Sequence, residues 1–160
     1  MNKKSVEMHR ALVLLAKQKI GFEVCVHGIS MYPTLVDGEV VTAKQMPQYM
    51  RGDIVVFKYH NQTNLIHRIV GVDITSDRYM CKGDNAYNYE IIYGHQIIGK
   101  VTKCKHNTLI NWPAYLIELS LKAGLAYRKG NLDISAIVTT KEYVEYRRNF
   151  ELYTANHLLP

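Results

Sequence analysis

No stretch of this sequence is long and apolar enough to cross a membrane. The longest uncharged stretches, residues 24–36 and 107–117, fall short of the roughly 18 consecutive apolar residues that a membrane-spanning helix needs. The apolar run at residues 11–16 is too short for a secretory signal sequence, and Lys17 and Lys19 follow it closely. We therefore expect a cytoplasmic protein with no integral membrane anchor.

The sequence also lacks the residue pairs that usually bind metal ions. Its three cysteines, Cys25, Cys81 and Cys104, form no C-x-x-C pair, and its seven histidines form no H-x-x-x-H pair. These absences argue against a zinc site, and we expect neither a metal nor an organic cofactor. An odd number of cysteines fits a reducing compartment, where thiols behave as small hydrophobic groups.

Charge of one sign is not concentrated anywhere along the chain. The formal net charge is +6, but the basic residues are scattered, and a scattered surplus is more typical of solubility than of nucleic-acid binding. Internal repeats and low-complexity segments are absent as well. A length of 160 residues indicates one domain, with or without an appendage.

Most of the chain has the character of short β-strands. A helix is predicted at residues 5–20, with Ser5 as its N-cap and Gly21 as its C-cap. Short runs rich in Val, Ile and Tyr then alternate with turn clusters, and they predict strands at residues 39–43, 54–59, 65–72, 78–82 and 97–104. Closely spaced short strands favour a mostly β fold with a coiled antiparallel sheet or incomplete barrel.

The character changes to helical after Lys105. Pro113 suits the first turn of a helix that extends to residue 127, with one apolar face formed by Tyr115, Leu116, Leu119, Ala123 and Ala126. A second helix is predicted at residues 141–159. We therefore divide the chain into an N-terminal helix (1–22), a β domain (23–105) and a helical C-terminal extension of unknown role (106–160).

The extension also permits a second interpretation. Its aromatic and basic residues fit peripheral contact with a membrane surface, although we expect them to pack on the β domain: Trp112, Tyr115, Lys122, Arg128 and Lys129.

The clearest motif is the octapeptide at residues 28–35, GISMYPTL. Gly28 and Pro33 bracket a turn around Ser30. A serine at such a turn becomes a nucleophile when a neighbouring base takes its proton and backbone N–H groups hold the oxyanion. By itself, a serine in a loop is more often only a turn residue.

A histidine in a strand-like run gives Ser30 a candidate base. Strand alternation places His67 on one face with Ile69, and Arg68 on the other face. An imidazole titrates near neutral pH and so suits general-base catalysis. A surface histidine is the simpler interpretation of His67 alone, and His27 is a rival base because it is close to Ser30 in sequence.

A carboxylate follows in the turn Lys82-Gly83-Asp84-Asn85. Asp84 could accept a hydrogen bond from a histidine ring N–H and so fix its tautomer. A turn aspartate that bonds its own backbone is the alternative, and we favour that alternative for Asp53.

Four segments in this order resemble the signal peptidase I family and its relatives, of the S24/S26 type. Residues 28–35 resemble the nucleophile motif that signal peptidases share with self-cleaving phage and SOS repressors. Residues 51–57 resemble the next signal peptidase box, residues 66–70 the general-base box and residues 82–85 the final box. The resemblance spans about half of the chain, and the order and identities of the four boxes together make it specific.

The resemblance implies a serine peptidase and a subtype. Most bacterial signal peptidases and the repressors use a lysine base, whereas the matching residue here is His67, as in the archaeal and endoplasmic-reticulum type. Carried across, Ser30 is the nucleophile, His67 the general base and Asp84 the orienting acid. Some members also have a serine two positions before the nucleophile, and here Gly28 stands there, so the oxyanion hole must use backbone N–H groups, including that of Ser30.

One departure leaves the third catalytic residue open. The endoplasmic-reticulum type often has further aspartates just after the last box, but this chain has none there, so Glu90 is the alternative to Asp84. We expect the substrate to contact the residues that flank the nucleophile: Gly28, Ile29, Met31 and Pro33.

Together these features predict a soluble serine endopeptidase that removes a leader or signal segment from a precursor peptide. The family implies small residues just before the cleaved bond, and the missing anchor favours a cytoplasmic precursor. One alternative is a self-cleaving repressor-like domain, which the lack of a helix-turn-helix segment and of a lysine base opposes. Another is a catalytically silent peptide-binding module, which a long distance between Ser30 and His67 would favour.

Overall fold

The computed structural model describes residues 3–17, 21–60, 63–130 and 134–158. The elements are, in chain order, α1 (Lys3–Lys17), β1 (Phe22–Cys25), β2 (Val40–Lys44), β3 (Ile54–Tyr59), β4 (Thr63–Asp73), β5 (Arg78–Lys82), β6 (Tyr89–Tyr93), β7 (Ile97–Lys103), α2 (Ala114–Gly130), α3 (Ile134–Ile137) and α4 (Lys141–Leu158). Two single-turn 3₁₀ segments, Gly94–Gln96 and Asn107–Leu109, flank β7. Within these ranges, no helix has the length and apolar character needed to cross a membrane.

The strands form one antiparallel sheet in the order β1-β2-β7-β3-β4-β5-β6. The two ends of the sheet do not pair with each other, so the sheet is open. Register shifts interrupt three pairings, at 42/43, 56/57 and 69/71, and such irregularities bend strands and increase their twist. The predicted mostly β fold with an open, coiled antiparallel sheet and flanking helices is confirmed.

Directly paired residues on neighbouring strands share a face of the sheet, and this assigns the functional side chains to opposite sides. Val55 pairs with His67, and Cys81 pairs with Glu90, so these four lie on the face that carries a core of Phe57, Ile69, Ile92 and Ile97. Arg68 pairs with Lys82 on the other face.

The second face holds two cores because different helices cover its two ends. One core joins α1 and the turn after β1 to the sheet through Leu12, Val26, Met31, Leu35, Val41, Ile54 and Val101. The other joins α2 and α4 to β4 through Val70, Trp112, Leu116, Ile117, Tyr146 and Phe150. The turn around Ser30, residues 28–35, is the candidate nucleophile turn and belongs to the first core, whereas the C-terminal helices belong to the second.

Several local expectations need correction. Two strands, β1 and β6, were missed. The helix α1 already includes Lys3, so Ser5 lies within it rather than capping it. Residues 18–20 of the first predicted helix and residue 159 of the last one are outside the described residues. In α1, Leu12 is buried and Leu14 is exposed.

The C-terminal helix α2 begins after Pro113, as predicted, but it buries a somewhat different face. Its buried residues are Leu116, Ile117, Ser120, Ala123 and Gly124, and Tyr115 is exposed. Small residues at 120, 123 and 124 let the helix approach the sheet closely. Trp112, considered above for membrane contact, is buried in the core beneath α4.

Candidate active site

Ser30 lies in the turn that follows β1, and neighbouring contacts hold this turn in place. Gly28 has a positive φ of 87°, a conformation that glycine adopts without steric cost, and its N–H donates to Asp37 Oδ1 at 2.8 Å. Met31, next to Ser30, is buried in the core and anchors the turn to the sheet. Within the described part of the chain, the backbone N–H of Ser30 has no hydrogen-bond acceptor.

The turn places Ser30 beside His67 of β4. The distance from Ser30 Oγ to His67 Nε2 is 3.1 Å, which is within hydrogen-bond reach. The two side chains are therefore together, as predicted, although 37 positions separate them in the sequence. His27, the rival base, is exposed at the rim of the neighbouring cleft, and the ring that contacts Ser30 is that of His67.

The other nitrogen of the His67 ring contacts Glu90 of β6. His67 Nδ1 lies 2.8 Å from Glu90 Oε2, and both side chains are largely buried. An ionised carboxylate only accepts hydrogen bonds, so the ring proton must be on Nδ1. Nε2 of a neutral ring then carries the lone pair and accepts from the Ser30 hydroxyl.

Asp84 does not reach His67, and this corrects the assignment made from sequence. Its carboxylate is buried and accepts two hydrogen bonds from Arg68, Nε to Oδ1 and Nη2 to Oδ2, both at 2.9 Å. Thr34 Oγ1 donates to Oδ2 at 2.6 Å. Strand alternation explains why Asp84 contacts Arg68 and not His67. The side chains of Arg68 and His67 point to opposite faces of the sheet, and Asp84 lies on the same face as Arg68. Glu90, the alternative considered above, is the carboxylate on the histidine.

The Arg68–Asp84 pair is a buried structural centre. Arg68 also donates to the carbonyl oxygens of Gly52, Leu109 and Ile110, and its guanidinium stacks 4.1 Å from the centre of the Trp112 ring. Buried charges need such complete pairing. The centre joins the turn before β3, the nucleophile turn through Thr34, and the chain that leads into α2.

Lys82 belongs to the same sequence box as Asp84, residues 82–85, and it too points away from Ser30. Its Nζ donates to Ser120 Oγ of α2 at 3.1 Å and lies 4.4 Å from the centre of the Tyr146 ring. Burial lowers the pKa of Lys82 from 10.5 to about 8, although the nearby Asp84 carboxylate opposes this change. The amine of this lysine therefore contacts Ser120, Tyr146 and the carbonyl oxygen of Gly83 rather than the candidate nucleophile.

Gly83 is required by a close approach to the nucleophile turn. A Cβ added there would lie 2.5 Å from the carbonyl oxygen of Ser30 and 3.1 Å from its Cβ. The next residues extend this contact, since the backbone N–H of Asn85 donates to the same carbonyl oxygen at 2.8 Å. The last sequence box therefore supports Ser30 through its backbone.

An apolar cleft of about 440 Å³ opens beside Ser30 and His67. Its walls come from α1, from β1 with the following turn, and from the start of β4, and its lining residues include Met8, Leu12, Val24, Val26, Met31 and Ile66. Of the four residues predicted to contact substrate, Met31 lines the cleft. Among the described residues, the lining does not include Gly28, Ile29 or Pro33.

Metal-ligating side chains are not gathered in this region. In the ranges that the structure describes, no group of three or more His, Cys, Asp or Glu side chains could hold a metal ion.

A serine held next to a histidine, with a carboxylate behind it and a cleft beside it, defines the class of serine-hydrolase-like sites. Comparison with protein families gives the particular family, because the model of signal peptidase, peptidase S26, matches residues 4–87. The match covers more than half of the chain, and the chain belongs to this family. Comparison with curated proteins and with solved structures gives no match. Glu90, α2 and α4 all lie beyond the matched residues.

Proposed function

We propose that the protein is a serine endopeptidase that removes a leader or signal segment from a precursor peptide. Membership of the signal peptidase family supports a peptidase. The observation that carries the finer proposal is the continuous contact from Ser30 Oγ to His67 Nε2 and from His67 Nδ1 to Glu90. In this proposal Ser30 is the nucleophile, His67 the general base and Glu90 the orienting acid.

The geometry supports a two-step acyl transfer. Ser30 Oγ attacks the carbonyl carbon of the scissile peptide bond, and its proton passes to His67 Nε2. The tetrahedral intermediate collapses, the C–N bond breaks, and the leaving amine takes the proton from His67. Water then attacks the acyl-serine ester with His67 again as base, which releases the acid product and restores Ser30. The Glu90 carboxylate stabilises the imidazolium that forms in each step.

The backbone N–H of Ser30 is suited to hold the oxyanion. It has no acceptor among the described residues, and donors aimed at the developing negative charge stabilise the transition state. Gly28, at the position where some family members have a serine, offers no side chain for this purpose.

An extended peptide fits the edges that border the cleft. β1 is an end strand of the sheet, and β5 pairs with β4 only from Arg68 onward. The stretch of β4 just before His67 therefore has β3 on one side and no strand on the other within the described residues. Backbone pairing along such edges binds a peptide as an added strand, with alternate side chains directed into pockets. From the family we expect small residues just before the cleaved bond.

The histidine base and the thiols support two finer proposals. We propose that the enzyme belongs with the archaeal and endoplasmic-reticulum type of signal peptidase, because the resemblance puts His67 at the position of the general base. All three cysteines are free, as expected in a reducing compartment, and we propose a cytoplasmic precursor as substrate.

A peptide library tests this function. Decapeptides with Ala, Ser or Gly before a defined bond are incubated with the wild-type protein and with Ser30→Ala, and products are identified by mass spectrometry. We expect cleavage after the small residue by the wild type and none by Ser30→Ala. Binding of the peptides by both proteins without cleavage would instead show a silent peptide-binding module.

A further inference from the structure

Asn85 ties the nucleophile turn to the last sequence box through two hydrogen bonds. Its backbone N–H donates to the carbonyl oxygen of Ser30 at 2.8 Å, and its side-chain Nδ2 donates to the carbonyl oxygen of Ile29 at 3.1 Å. Two consecutive carbonyl groups of the turn are thereby fixed. Their orientation also sets the direction of the peptide groups on either side of Ser30.

The amide of Asn85 is itself held by a residue of the C-terminal helix α4. Arg147 Nη1 donates to Asn85 Oδ1 at 2.7 Å, and Arg147 Nε donates to Glu151 Oε1 at 2.9 Å, one turn further along the helix. A guanidinium group only donates hydrogen bonds. The Asn85 amide can therefore turn only its oxygen toward Arg147, and in this orientation its Nδ2 points at the carbonyl oxygen of Ile29.

Without the guanidinium, only the carbonyl oxygen of Ile29 favours this orientation of the amide. Rotation by a half turn would place Oδ1 of Asn85 against the carbonyl oxygen of Ile29, where two acceptors repel each other. The turn would then keep only the backbone bond from Asn85 to Ser30.

We propose that Arg147 is a positioning residue that fixes the Ser30 turn through Asn85. This inference rests on the proposed peptidase function and extends it, because it gives the C-terminal helix a role in the reaction. It also adds a residue outside the segment matched by the family model, residues 4–87. Arg147 acts at a distance, since it contacts Asn85 rather than the reacting atoms.

A second contact from the same helix turn supports the assignment. The Tyr146 hydroxyl donates to the backbone carbonyl oxygen of Asp84, the residue before Asn85. Helix α4 thus holds two adjacent residues of the loop that carries Gly83 against Ser30 and leads to Glu90. These two contacts from α4 hold the loop at the point where it meets the turn around Ser30.

The test is a double-mutant cycle of Arg147→Met and Asn85→Ala. The probe is the p-nitrophenyl ester of acetyl-alanine, which transfers its acyl group to Ser30 and releases p-nitrophenolate. Each single variant should lower the acylation rate about 10- to 100-fold, because small displacements of a nucleophile have effects of this size. The double variant should be no slower than the slower single variant, since both changes remove the same constraint. The KM for the ester should stay unchanged, because neither residue lines the cleft.

Three comparisons control the cycle. Arg148→Met changes the exposed neighbour on the same helix and should react like the wild type. Arg147→Lys keeps the charge and most of the stem and should recover part of the lost rate. Rates are expressed per folded molecule from urea titrations, so that partial unfolding of Arg147→Met does not imitate the effect.

Two different failures are distinguishable. Acylation of the wild type at Ser30 with an Arg147→Met rate within twofold of Arg148→Met, or losses that multiply in the double variant, would overturn the role of Arg147 alone. A wild type that is not acylated at Ser30 would overturn the proposed peptidase and this role together.

Discussion

Gly83 lies so close to the nucleophile turn that one added carbon atom would displace it. In Gly83→Ala, the new Cβ would lie 2.5 Å from the carbonyl oxygen of Ser30, and a backbone atom must move to relieve the contact. We expect ester acylation at Ser30 to fall roughly 100-fold, as for a nucleophile misplaced by about 1 Å. Gly71→Ala is the matched control, because its Cβ would meet Met80 at an ordinary 3.5 Å. Equal rates for the two variants would contradict the close approach.

Substitution of Glu90 should lower the reaction rate, whereas substitution of Asp84 should lower the stability of the fold. Glu90→Gln keeps the shape of the side chain but removes its negative charge, and its amide can turn an N–H donor toward His67 Nδ1, so we expect the acylation rate to fall roughly 10²- to 10⁴-fold. Asp84→Asn breaks a buried pair with Arg68, and we expect the free energy of unfolding to fall by about 3 kcal/mol.

Urea titrations and ester kinetics on both variants make this comparison. An Asp84→Asn protein that is as stable as the wild type, or a Glu90→Gln protein with the wild-type rate, would contradict the assignment of roles.

Ser30 and His67 were assigned because four segments in order resemble the boxes of the signal peptidase family, since neither residue stands out by its local pattern alone, and the structure brings their side chains together. Sequence reasoning could not choose between Asp84 and Glu90, because that choice depends on which face of the sheet each carboxylate reaches. The register of β4, β5 and β6 decides the matter, and Glu90 lies on a strand that the sequence did not reveal. Tyr89–Tyr93 is a five-residue edge strand that follows directly on a turn cluster, so its pattern was too short to separate from the loop.

At the scale of elements, α2 lies over a buried lysine. Lys82 is 1% exposed and donates to Ser120, and burial lowers its pKa to about 8. The folded state therefore holds this proton less tightly than the unfolded chain, in which the pKa is near 10.5. Burial of the charge costs stability in full below pH ~8, and the cost disappears as the pH rises toward ~10.5.

We therefore expect the Lys82→Met variant to be at least as stable as the wild type at pH 7, as is often found when buried charges are replaced by apolar groups. Between pH 8 and 10.5, the wild type should gain about 3 kcal/mol relative to the variant. Urea titrations across this range measure the difference, and Lys122→Met, at an exposed position of α2, is the control. Parallel curves for wild type and Lys82→Met would show that burial does not perturb this amine.

The sequence predicts where helix α2 begins better than it predicts which face of the helix is buried. Pro113 and the apolar spacing indicated where α2 begins, but the buried face includes Ser120 and Gly124. Composition alone gives no reason to bury a serine and a glycine. The reason is the lysine beneath them, since Gly124 leaves room for the Lys82 stem and Ser120 Oγ accepts a hydrogen bond from Lys82 Nζ.

At the scale of the whole molecule, helices α1 and α4 both contribute to the surroundings of Ser30. Helix α1 forms a wall of the apolar cleft, the sheet supplies His67 and Glu90, and α4 supports the loop that holds the nucleophile turn. The sequence division into three parts stays a prediction, and in the structure Tyr146 and Arg147 of the last part contact Asp84 and Asn85 of the predicted β domain. Long-range contacts of this kind, such as Arg147 with Asn85, leave no local pattern in a sequence.

The central claim is that Ser30 is a nucleophile activated by His67. The most direct test is the mass of the protein after reaction with the p-nitrophenyl ester of acetyl-alanine and quenching in acid, with the modified peptide located by fragmentation. We predict one acyl group on Ser30 in the wild type, none in Ser30→Ala, and formation at least about 100-fold slower in His67→Ala. An acyl group on another residue, no acyl group at all, or an equal rate in His67→Ala would contradict the claim.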